Sequence, residues 1–92
     1  MAAEIMIEEE QMLKLNVRTK RNPDEVVKKA LEFFGSGDYG LKVTERNDTC
    51  VSFEGGGGDI TVIACTNDKG TSVDLETREW EYQVKEFARK IK

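Results

Sequence analysis

The chain contains no histidine. That removes Ser-His-Asp and Cys-His activation of a nucleophile, and every zinc site built on imidazole. It has only two cysteines, Cys50 and Cys65, too few for a four-thiolate metal site or a disulfide framework. No apolar run approaches the roughly 20 residues of a membrane-spanning helix. The first residues, Met1-Ala2-Ala3-Glu4, lack the basic start and apolar stretch of a secretory signal. A basic surplus is missing as well: 14 Lys and Arg stand against 18 Asp and Glu, a net charge of −4. Domains that grip a phosphate backbone normally carry such a surplus, so nucleic acid is not an expected partner.

What remains is a soluble globular composition, 38% apolar and 35% charged over 92 residues, enough for one core of modest size. The expected organisation is a single domain over residues 1–92. Charge is uneven along it. Glu8-Glu9-Glu10 is acidic, whereas Lys14, Arg18, Lys20, Arg21, Lys28 and Lys29 outnumber Asp24 and Glu25 in the stretch that follows. The ordinary reading of that basic stretch is a solvated face.

Two helices are well marked. Asn22 suits an N-cap, Pro23 suits the first helical position, and Glu25 stands three residues after the cap, as in a capping box. Val27, Ala30, Leu31 and Phe34 follow as one apolar face, widened by Val26 and Phe33, and Gly35 ends it. At the other end, Trp80, Val84, Phe87, Ala88 and Ile91 form a helical stripe over residues 79–92. Glu79 and Glu81 begin that segment and Arg89, Lys90 and Lys92 end it, so both ends complement the helix dipole.

Between the helices, four runs alternate with period two: residues 41–46, 49–54, 59–65 and 71–77. One inner face passes through Leu41, Val43, Val51, Phe53, Ile60, Val62, Ala64, Val73 and Leu75. The other face is polar apart from Ile63 and the two cysteines, as in an antiparallel sheet with one wet side. A Gly55–Gly58 tip pairs Phe53 with Ile60 and Val51 with Val62. An Asn67–Gly70 turn pairs Ala64 with Val73. For the first hairpin, a three-residue loop with Asp48 left-handed sets Val43 opposite Val51 and keeps inner residues together. Before the first helix, Leu13, Leu15 and Val17 predict a strand over residues 12–20. Its parity extends back through Ile7 to Ile5. Residues 1–10 therefore read as an extended arm, with a short helix or a frayed, disordered end as alternatives.

The order is β-α-β-β-β-β-α, an α+β fold. The stripe Trp80, Val84, Phe87, Ile91 and the meander over residues 41–77 resemble, as topology, each half of the TATA-box-binding protein and the helix-grip proteins of the pollen-allergen and START type. The resemblance implies a five-stranded antiparallel sheet ordered 1-5-4-3-2, with both helices on one face. Helix-grip proteins hold small apolar ligands between the sheet and the last helix. This chain is much shorter, and so small a core has little room for a cavity of about 300 Å³. The saddle-shaped relatives bend DNA with phenylalanine wedges on the wet face, where this chain has no aromatic residue.

Few residues suggest chemistry. Gly35-Ser36-Gly37-Asp38-Tyr39-Gly40 has the letters of a dinucleotide fingerprint, but a helix precedes it and a strand follows, the reverse of what pyrophosphate binding needs. Gly55, Gly56, Gly57 and Gly58 form a hairpin tip expected to be mobile. Cys50 and Cys65 fall as diagonal neighbours on the wet face. Diagonal spacing of ~7–8 Å is too wide for an unstrained bridge, so both are read as reduced thiols of a cytoplasmic protein. Among strand carboxylates, Glu45 alone falls on the inner parity. No nucleophile–base pair is visible, and neither cofactor nor metal is implied. The expected function is a non-enzymatic interaction or scaffold module, with a homodimer through the N-terminal strand. The alternative is a small apolar-ligand carrier with a groove under the last helix, bordered by Trp80, Tyr39, Glu45, Phe53 and the glycine tip.

Overall fold

The computed structural model describes residues 12–35 and 39–91. Its elements are β1 (Met12–Thr19), α1 (Pro23–Phe34), β2 (Lys42–Arg46), β3 (Cys50–Gly55), β4 (Gly58–Asn67), β5 (Gly70–Arg78) and α2 (Glu81–Ile91). The strands form one antiparallel sheet in the order β1-β5-β4-β3-β2. Helix α1 packs over β3 and β4, and α2 over β5 and β1, so both cover the same face. The core lies between, with Val26, Ala30, Phe34, Val51, Phe53, Ile60, Val62, Ala64, Val73, Leu75, Val84, Phe87 and Ile91 essentially sealed from solvent.

The local chemistry follows the sequence closely in the centre. The Asn22 N–H donates to the Glu25 carboxylate at 3.2 Å, which answers one free donor at the start of α1. At its other end the Gly35 N–H reaches Leu31 C=O at 2.9 Å. Phe53 faces Ile60, Val51 faces Val62, and Ala64 faces Val73, so inner residues meet inner residues across three strands. On the opposite face Ser52, Thr61 and Glu76 are half-buried rather than open, because neighbouring strands flank them on both sides. Thr77 shares the inner parity and is fully buried, and its hydroxyl is satisfied by Asp59 C=O at 2.7 Å. The Thr19 hydroxyl donates to Ile91 C=O, tying the end of β1 to the end of α2.

The first hairpin differs from the expectation. Val43 pairs with Phe53, not Val51, and the register slips between Val43 and Glu45, leaving Thr44 as an extra residue. Glu45 then faces Ser52 on the wet side, and Arg46 faces Val51 on the helix side, the reverse of strict alternation. The turn is set by Asn47, whose side-chain oxygen accepts the Thr49 N–H at 3.0 Å while its backbone N–H donates to Cys50 C=O at 2.8 Å. Asp48 is not left-handed; Glu79, at φ 74°, is the one non-glycine residue with positive φ among the described residues. Val43 is 45% exposed instead of buried, because the helices cover the inner strands and leave the underside of β2 open.

The last helix also starts later than its stripe suggests. Strand β5 runs on through Arg78, and Glu79 takes the left-handed conformation that turns the chain back over the sheet. Trp80 therefore precedes the helix, and its C=O accepts the Val84 N–H at 3.0 Å.

Candidate functional site

Three surface features are candidates: the corner around Trp80, the uncovered sheet face, and the two sheet edges. The corner is built by the β3–β4 hairpin. Gly56 and Gly57 both have positive φ, 60° and 83°, between the paired residues Gly55 and Gly58, the geometry of a tight two-residue turn. The Trp80 ring lies over Gly56, where a Cβ would come within 2.8 Å of it. The Trp80 indole N–H donates to Gly55 C=O at 3.0 Å. Tyr39 meets Trp80 edge-on, with ring centroids 5.7 Å apart. From there a chain of rings runs inward: Tyr39 to Phe33 at 6.2 Å, Phe33 to Phe87 at 5.7 Å, Phe87 to Phe34 at 5.2 Å, and Phe34 to Phe53 at 5.5 Å.

The four proposed groove residues thus separate. Trp80 and Tyr39 stand together, half-buried, at the sheet end where the glycine tip lies. Phe53 is fully buried within the packed rings. Glu45, expected on the inner parity, is on the other side of the sheet because of the slip at Thr44. Sequence reading missed the indole bond to Gly55, which links the tip to the turn before α2. The signal was the glycine run itself, longer than a turn requires. The fingerprint letters at Ser36, Gly37 and Asp38 lie outside the described residues.

On the uncovered face, Cys50 sits opposite Ile63 and Cys65 opposite Ser72, and both thiols are free. Burial raises the pKa of the Cys50 thiol, and the nearby Glu45 carboxylate raises it further, so Cys50 stays protonated and is a poor nucleophile. Beside them Asn16 donates to Ser72 Oγ at 2.9 Å and to Asp74 Oδ1 at 2.7 Å, fastening β1 to β5. Among the described residues, no group of three acidic or thiol side chains is placed to hold a metal ion. No helix among them is long and apolar enough to cross a membrane.

The edges are unequal. Strand β2 is five residues long, exposed throughout, interrupted at Thr44, and bears Lys42 and Arg46. Strand β1 is eight residues long and stays in unbroken register with β5 from Met12↔Arg78 to Thr19↔Thr71. Its Leu13, Leu15 and Val17 pack against the core but keep part of their surface in water.

No protein-family model matches the chain, and no curated protein matches it.

Proposed function

We propose that this chain is a non-enzymatic interaction module that pairs with a second copy of itself along β1. The carrying observation is the inequality of the two edges. Natural sheets blunt free edges with short strands, bulges and charge, and β2 shows all three. Strand β1 has no interruption, and its row of Leu13, Leu15 and Val17 is only partly covered. An antiparallel pair about a two-fold axis suits it. Centring that pair on Asn16 would oppose Lys14 to Arg18, a destabilising like-charge pair. Centring it on Leu15 opposes Leu13 to Val17 and Lys14 to Asn16, which removes the repulsion and joins the apolar rows. Ile5 and Ile7 lie in residues 1–10, outside the described residues; each is worth roughly 2 kcal/mol if the arm buries it. Both helices on one face and the 1-5-4-3-2 order support a likeness to the TATA-box-binding-protein and helix-grip folds.

Light scattering tests the proposal. The full chain at high micromolar concentration is expected to show twice the 10.4 kDa of the monomer. A monomer there overturns it. A chain lacking residues 1–10 that still dimerises places the contact outside the arm; one that becomes monomeric gives the arm a share in it.

The second reading, a carrier of a small apolar ligand, is favoured by one feature: the Trp80–Tyr39 pair against the hairpin tip. A carrier predicts saturable quenching of Trp80 by apolar probes, competed by added fatty acid. Unchanged emission removes it. Trp80 is the chain's single tryptophan, so the signal reports that corner alone.

A further inference from the structure

The basic residues that alternate with other chemistry along the sequence converge at one end of the sheet. Arg18 and Thr19 end β1, Lys20 and Arg21 lead into α1, and Lys69 comes from the β4–β5 turn. With Glu25 of α1 they line an open depression of about 670 Å³. Among these residues four are cationic and one is acidic.

The backbone at Arg21 is held from both sides. Its N–H donates to Thr19 Oγ1 at 3.2 Å, and its C=O accepts the Thr71 hydroxyl at 2.6 Å. The side chain is not answered in the same way: Arg21 Nε is buried and has no hydrogen-bond partner among the described residues. A buried donor left unpaired costs about 1–3 kcal/mol, more when it carries charge, so such groups are ordinarily satisfied. Among the described residues, no anionic side chain fills the need. Glu25 is drawn back to the start of its own helix by the Asn22 N–H.

We propose that this depression binds the phosphate group of a small anion, with Arg21 as its anchor and Arg18, Lys20 and Lys69 as the surrounding charge. Guanidinium matches phosphate oxygens through paired donors, which a hydrated ammonium does not. Several cations around one anchor suit a doubly or more highly charged group over a carboxylate. The lining offers no aromatic surface on which a nucleobase could stack, so recognition rests on the phosphate. The site is small and local, and it is compatible with the acidic whole-chain charge that disfavours a long phosphate backbone.

Calorimetric titration of the full chain with inorganic pyrophosphate, at 150 mM salt (about physiological), is the test. One-to-one saturation below about 1 mM is expected. Amide shifts should be confined to residues 18–25 and to Lys69. Arg21→Gln should weaken binding about tenfold. Because that side chain is partly packed, the double variant Lys20→Gln/Lys69→Gln, at two exposed positions, is measured beside it and should also weaken binding several-fold with unchanged melting. Inorganic phosphate and a sugar phosphate distinguish the sources: tighter binding of the sugar phosphate identifies an organic ester, equal binding a free inorganic ion. No saturation with any of the three overturns the proposal. So does binding that is unchanged in the double variant, or that shifts residues elsewhere.

Discussion

Phe34→Ala is expected to destabilise the protein by roughly 3–5 kcal/mol, the range for losing a buried aromatic ring. Phe34 is fully buried and lies at the junction of the ring cluster: Phe33 at 4.9 Å and edge-on, Phe87 at 5.2 Å, Phe53 at 5.5 Å. Truncation removes its transfer free energy and leaves a void that three neighbouring rings, themselves wedged between helix and sheet, cannot close. A chain of this length has a total stability of roughly 5–14 kcal/mol. One substitution therefore removes a large share, and the melting temperature should fall by about 12 °C or more. The informative partner is Val43→Ala. Strict alternation puts Val43 in the same core. At 45% exposure it should cost less than about 0.5 kcal/mol. Urea denaturation of the two variants separates the outcomes. Equal losses would mean that the underside of β2 is covered in solution.

That contrast also marks how far the sequence could be read. Phe34, Val51, Phe53, Ile60, Val62, Val73 and Leu75 were legible because burial follows a fixed period of 3.6 or 2, and the two long hairpins keep that period without interruption. The strand order followed from the resemblance. Strand β2 was not legible. One extra residue at Thr44 inverts the later side chains of the strand, and the turn that follows, closed by the Asn47 side chain, looks in sequence like any Asn-Asp loop. The basic depression was hidden for another reason. Lys69 is distant in sequence from Arg18 and Arg21, and only the return of β5 alongside β1 brings the β4–β5 turn next to the start of α1. Periodicity reports which face a residue takes; it does not report which chain ends meet.

Gly58→Ala should be among the most damaging single-methyl additions in this fold, costing about 3 kcal/mol. An added Cβ would lie 2.1 Å from Arg78 O and 2.7 Å from Glu79 Cβ. The first of these is backbone at the end of β5, which has no rotamer to move. Relief requires shifting the turn at Glu79, whose positive φ of 74° already costs about 1 kcal/mol. That turn places Trp80 over the hairpin tip, so the damage should extend beyond stability. The indole bond to Gly55 C=O should weaken, and Trp80 emission should shift to the red as the ring gains water. Glu79→Gly is the counterpart. It relieves the left-handed strain and adds no atom, so it should leave stability within about 1 kcal/mol of the parent and leave Trp80 emission unchanged. Urea unfolding followed by Trp80 fluorescence reads both quantities in one experiment. If Gly58→Ala unfolds at the parent's midpoint with the parent's spectrum, the close approach of the β3–β4 tip to the Arg78–Glu79 turn is not present in solution, and four glycines at that tip again exceed what the fold requires.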